Sequence, residues 1–232
     1  MSALSYPVIT LDGPSGSGKG TIAQLIAQRL GWNYLDSGSI YRVLALAARR
    51  HQVEHHDEAA LAILASQLDV EFISDERSLT PHVTLEGDDV TQAIRHSDIG
   101  QEASTISVLP EVRRALLQRQ RDFCRAPGLV TDGRDMGTVV FPDAPLKIFL
   151  SASLEERAQR RYLQLKDQGF DDSLARVVTG LAERDERDMS RSVSPLIPAN
   201  DAVHVDTTGL SIEQVVKVVI DEIQKRLPGI IH

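Results

Sequence analysis

The chain has 232 residues, 42% of them apolar and 25% charged, which excludes a disordered or collagen-like polymer and suits one globular unit with an insertion. A net charge of −8 sets the long-range field against nucleic acid and anionic membrane, so neither is expected as a partner. One cysteine, Cys124, excludes an internal disulfide, and no apolar run approaches the roughly 18 residues of a membrane span.

Tyr6 to Leu11 is a short β-branched run that reads as a buried strand, stopping where turn chemistry begins at Asp12-Gly13-Pro14. Ile22, Leu25, Ile26, Arg29 and Leu30 then fall at helical spacing up to Gly31, a C-cap. Trp32 to Leu35 reads as a strand and Ile40 to Arg49 as a helix. Between about 66 and 96 the rhythm changes, and Val70 to Ile73 and His82 to Val90 alternate like half-exposed antiparallel strands of a small inserted lobe. Gly128 to Thr131 and Leu146 to Leu150 return to buried strands. Ser153 with Glu156 predicts a capping box for the next helix, Val203 to Val205 a last strand, and Ser211 the start of an amphipathic helix through Arg226. Strands alternating with helices imply an α/β fold with a parallel sheet covered on both faces.

Gly13-Pro14-Ser15-Gly16-Ser17-Gly18-Lys19-Gly20-Thr21 lies between the first strand and the first helix, the setting in which a glycine pattern becomes a phosphate loop. Glycines let successive N–H groups turn inward, and the helix N-terminus adds its positive dipole end. Lys19 is expected to reach the outer phosphates and Thr21 to offer a hydroxyl to magnesium or its water. Gly20 separates the lysine from Thr21, a form that resembles the nucleoside monophosphate kinases and departs from the GTPases.

Asp36-Ser37-Gly38-Ser39-Ile40-Tyr41-Arg42 and Thr131-Asp132-Gly133-Arg134-Asp135 both leave strands at the carboxyl edge of the expected sheet, where ligands of such sheets bind. An aspartate there, Asp132, can orient magnesium-bound water, and Arg134 can hold a transferring phosphoryl group. Of 25 basic residues 20 are arginine, whose planar fork suits phosphate. Arg157, Arg160 and Arg161 share one helix face, and Arg184, Arg187 and Arg191 another, so like charges stack until an anion lies between them. These features alone leave open a kinase for another small acceptor such as UMP, AMP or shikimate, or a nucleotide-dependent switch with a protein partner. His51, His55 and His56 lie in a polar stretch and read as solvated rather than metal-binding.

Taken together, the phosphate loop, Asp36 to Arg42, the run from Asp132 to Pro142, and Glu183 to Asp188 with Arg191 to Leu196 resemble the bacterial cytidylate kinases over essentially the whole chain. The resemblance implies transfer of the γ-phosphoryl group of ATP to CMP or dCMP, with magnesium accompanying the ATP. It implies a P-loop kinase fold of about five parallel strands. The core would be residues 1–61 and 101–232, the inserted acceptor lobe 62–100 and a short lid about 157–172. By similarity Arg42 and Arg134 grip the acceptor phosphate with Ser37 nearby, and Ser104, Arg113 and Asp135 read the cytosine. Arg184 and Asp188 contact the sugar, Arg191 the phosphates, and Arg157 and Arg161 belong to the lid. Lys19, Asp132, Arg134, Arg157, Arg161 and Arg191 make up the expected catalytic set, with Thr21 and Asp132 near the metal. Ser39 stands where many family members carry alanine. A cytoplasmic monomer is expected.

Overall fold

A computed structural model describes residues 6–73, 81–167, 169 and 172–230. The chain forms two compact units, residues 1–34 with 124–232 and residues 35–123.

In the first unit, β1 (Val8–Asp12) lies at the centre of a five-stranded sheet with β2 (Asn33–Asp36), β6 (Leu129–Gly133), β7 (Leu146–Ser151) and β8 (Val203–Asp206), in the order β2-β6-β1-β7-β8. β1 pairs in parallel with β6 and β7, and β7 with β8. Every residue of β1 and β6 is buried, so neither shows the in–out alternation of a strand with one solvated face. α1 (Lys19–Leu30) and α8 (Ile212–Arg226) cover the sheet with Ile22, Ala23 and Ile26 from one and Val215, Val219 and Ile223 from the other. α6 (Leu154–Asp167) and α7 (Leu174–Ser190) pack through Ala158, Leu165, Val177 and Leu181. This is the expected α/β fold, a parallel five-stranded sheet flanked by helices.

The second unit holds α2 (Ser37–Arg50), α3 (Glu58–Ser66), α4 (Ser97–Ile106) and α5 (Pro110–Arg121), with α2 against α4 and α3 against α5. Its antiparallel sheet joins β3 (Val70–Ile73), β4 (His82–Leu85) and β5 (Asp88–Asp89), so the run read over His82 to Val90 is two strands folded back at Glu86-Gly87, both of which have positive φ. Residues 74–80 of the expected inserted lobe, and 168, 170 and 171 of the expected lid, lie outside the described residues.

Local chemistry moves several boundaries. The first strand runs through Asp12, which still pairs with Gly133 and Phe149. The second helix starts at Ser37 rather than Ile40, because Asp36 caps it by accepting from Ser39 N at 3.2 Å. Ser211 and Gln214 form a full capping box, but Ser153 and Glu156 form only half of one. Glu156 N donates to Ser153 Oγ at 3.2 Å, while Ser153 N is taken by Thr208 Oγ1 at 3.0 Å and the Glu156 carboxylate by Arg160.

Candidate active site

The phosphate loop leaves β1 in a conformation that its glycines permit. Gly16 and Gly18 have φ of +79° and +88°, and a Cβ on Gly13 would lie 2.1 Å from the Leu150 carbonyl oxygen. No side chain caps α1 and no acidic residue occupies its first turn, so its leading N–H groups meet no carboxylate there. Lys19 is buried and donates from Nζ to the Pro14 carbonyl at 3.1 Å, which folds its ammonium back over the loop. Ser17 Oγ is buried without a hydrogen-bond partner among the described residues. Thr21 is exposed at the start of α1.

Neighbouring strands bring further groups to this edge. β1 and β6 are in register with Leu11 beside Asp132 and Asp12 beside Gly133, so the Asp132–Asp135 segment leaves the sheet next to the loop. The Asp132 carboxylate accepts from Tyr34 Oη at 2.6 Å, and both its oxygens lie 3.8 Å from where a Gly20 Cβ would stand. Asp12 accepts from Met136 N at 2.9 Å and from Gly137 N at 2.8 Å. Burial pushes the Asp12 carboxyl up to about 6, opposed by those two N–H donors and by Lys19 and reinforced by Asp135.

The arginines are not left facing one another, which corrects the expectation of unrelieved repulsion. α7 interposes carboxylates: Asp188 accepts from Arg134 Nε at 2.6 Å and pairs with Arg191, and Asp185 pairs with Arg157 at 2.7 Å. Burial opposes the charge of Asp188, but Arg134, Arg191 and Arg184 outweigh it and hold its carboxyl below the usual range. The expected lid arginines also part company. Arg157 is buried and donates to the Ser15 carbonyl at 3.0 Å, Arg160 pairs with Glu156 and donates to Thr207, and Arg161 donates to Gln164.

Among the acceptor residues expected in the second unit, Ser37 is buried in the first turn of α2, and Arg42 lies one turn further on, half-buried. Ser104 and Arg113 are linked through Ser107, whose hydroxyl donates to the Ser104 carbonyl at 3.0 Å and whose carbonyl accepts from Arg113 Nη1 at 3.0 Å. The Arg113 guanidinium lies 5.7 Å from the Tyr41 ring centroid, a cation–π arrangement. Ser104 Oγ is buried without a hydrogen-bond partner among the described residues.

Sequence reasoning missed Tyr34, Asp185 and Thr207, and it read Asp12 only as a turn residue. Asp12 alone left a signal, its place directly before the loop; the others are defined by partners far away in sequence.

A glycine-lined loop between a central parallel strand and a helix, with two aspartates and an arginine leaving the neighbouring strand beside it, defines a P-loop phosphotransferase of the kinase type. The sequence model of the family described as "Cytidylate kinase" matches residues 9–225. The chain is 56% identical over 225 residues to a cytidylate kinase of Shewanella loihica, covering 97% of each chain. It is 59% identical over 220 residues to one of Stutzerimonas stutzeri, covering 95% of this chain and 96% of the other. A cytidylate kinase of Pseudomonas syringae pv. tomato is 59% identical over 223 residues, with 96% and 97% covered. The chain belongs to the cytidylate kinase family, and with it to the nucleoside monophosphate kinases.

Proposed function

We propose that the chain transfers the γ-phosphoryl group of ATP to the phosphate of CMP or dCMP, giving ADP and CDP or dCDP. The observation that carries this reading is the register that sets Asp132 to Asp135 beside the phosphate loop at the carboxyl end of two adjacent parallel strands. Phosphoryl transfer through a loose transition state needs alignment and charge neutralisation rather than a covalent intermediate. Residues 13–21 cradle the ATP phosphates, and Lys19 follows charge on the outer ones. Arg134 and Arg191 exchange their carboxylate partner for phosphate oxygens, and Arg157 and Arg161 serve a lid over residues 157–172. Ser37 and Arg42 hold the acceptor phosphate, Ser104, Arg113 and Asp135 read the base, and Arg184 and Asp188 meet the sugar. Residues 62–100 form the acceptor lobe.

The residues near the loop fit magnesium. Asp132 and Thr21 supply hard oxygen donors, and among the described residues no group of three or more His, Cys, Asp or Glu gathers into a protein-only cage. Magnesium is held in this way, by one or two carboxylates with waters and phosphates, and when bound it neutralises charge on the β- and γ-phosphates. Among the described residues no helix is long and apolar enough to cross a membrane. This reading carries with it a cytoplasmic monomer with no nucleic-acid or membrane partner.

The test is an acceptor screen: ATP and magnesium with each nucleoside monophosphate in turn, following ADP release. CMP and dCMP should give the highest kcat/KM. Faster turnover of UMP or AMP would reassign the acceptor, and slow hydrolysis indifferent to every monophosphate would point to a switch instead.

A further inference from the structure

We propose that Asp12 is a positioning residue that fixes the acceptor-gripping segment Arg134–Asp135 against the phosphate loop. It is the last residue of β1, and Gly13 of the loop follows it directly. Both of its carboxylate oxygens are engaged, Oδ1 by Met136 N at 2.9 Å and Oδ2 by Gly137 N at 2.8 Å. These consecutive N–H groups open the π-helical turn Met136–Val140 that begins directly after Asp135, and the first N–H groups of such a turn have no partner within it. A Cβ on Gly137 would lie 2.8 Å from Thr10 Oγ1, so the turn already sits hard against β1 and the clasp sets its position along the strand. One side chain thus ties the origin of the ATP-binding loop to the segment that holds the acceptor.

An in-line transfer is sensitive to that separation, since a displacement of about 1 Å can cost about 10²-fold in rate. The clasp needs the ionised carboxylate, because a protonated or amide group presents a donor to one of the two N–H groups. Burial resists that ionisation and raises the group to about 6. The charged groups around it are Asp135, Lys19 and, beyond Gly137, Lys147, whose stem would lie 3.2 Å from a Cβ there. As pH falls through about 6, Asp12 gains a proton, one N–H bond is lost, and kcat should fall with it.

The inference rests on the assignment of Arg134 and Asp135 to the acceptor. The experiment compares wild type with Asp12→Asn in kcat and KM for CMP, in ATP affinity by calorimetry, and in the pH profile of kcat on the acid side of neutrality. The variant should lose about 10- to 10²-fold in kcat, keep its ATP affinity, and lack the acid limb that wild type shows. In wild type, the Met136 and Gly137 amide resonances should shift with the same midpoint as turnover, a readout that stands even if the variant does not fold. A variant that keeps wild-type kcat and loses only thermal stability would overturn the proposal, as would amides that do not move while turnover titrates. A wild type that turns over another monophosphate and not CMP overturns the acceptor assignment, a failure recognisable before any variant is made.

Discussion

Tyr34 donates its hydroxyl to Asp132 at 2.6 Å, joining the strand at the sheet edge to the carboxylate beside Gly20. The bond to a charged acceptor is worth about 1.5–3 kcal/mol and holds that carboxylate in one orientation. Tyr34→Phe should leave the fold and the KM for CMP unchanged. The magnesium concentration at half-maximal rate should rise by about tenfold or more, as loss of such a bond predicts. A magnesium titration at fixed ATP checks it, and a superimposable curve would detach Asp132 from the metal.

Lys19→Met nearly preserves volume and removes the cation that follows charge on the outer phosphates. Loss of one preorganised electrostatic group costs about 10²- to 10³-fold in kcat, so turnover should fall by that order while the thermal midpoint moves little. Steady-state kinetics beside a melting curve separates the two.

Asp188 shows what the arginines cost. Both of its oxygens face guanidinium groups, and removing it takes a carboxylate from the largely buried side chains of Arg191 and Arg134 at once. Asp188→Ala should destabilise by about 3 kcal/mol or more, on the order of 10 °C in Tm. The acid side carries the sign. Its folded carboxyl titrates below its ordinary value of 3.8, so its stabilisation is complete above that value and fades as pH falls through the folded one. Between pH 7 and strongly acid solution the Tm of wild type should therefore drop more than that of Asp188→Asn.

Base choice gives a fourth test. Cytosine presents an amino donor and a ring-nitrogen acceptor where uracil presents a carbonyl and an N–H. If Asp135 accepts from the amino group and Arg113 donates to the ring nitrogen, UMP inverts both pairings at about 1–3 kcal/mol each. Asp135→Ala should lose more kcat/KM for CMP than for UMP, while Arg42→Ala, confined to phosphate, should weaken both alike. Equal losses in the Asp135 variant would move base reading elsewhere.

The sheet and the loop were legible because their signals are local: buried strands show as short runs rich in β-branched and apolar residues, and the loop's glycines lie within eight residues, from Gly13 to Gly20. The pairing of the arginines was not. Helical spacing groups Arg157 with Arg160 and Arg161, yet Arg157 reaches Ser15 and Asp185 and Arg160 reaches Thr207 on other elements, while Glu156 and Gln164 on the same helix meet Arg160 and Arg161. The capping box expected at Ser153 failed for the same reason, since Thr208, 55 positions away, supplies the acceptor that Glu156 would have provided.

Thr207 closes the phosphate loop from 190 positions downstream. Its hydroxyl donates to the Ser17 carbonyl at 3.2 Å across 190 positions, and it also meets the Ser151 carbonyl and Arg160. Chains emerge from the ribosome N-terminus first. The loop is thus made 190 positions before its buttress, which follows directly after β8. A growing chain carries the whole nucleotide motif through those 190 positions without the support that shapes it. ATP affinity should therefore switch on late, when residues 203–206 have joined the sheet and brought Thr207 to the loop, rather than accrue with length.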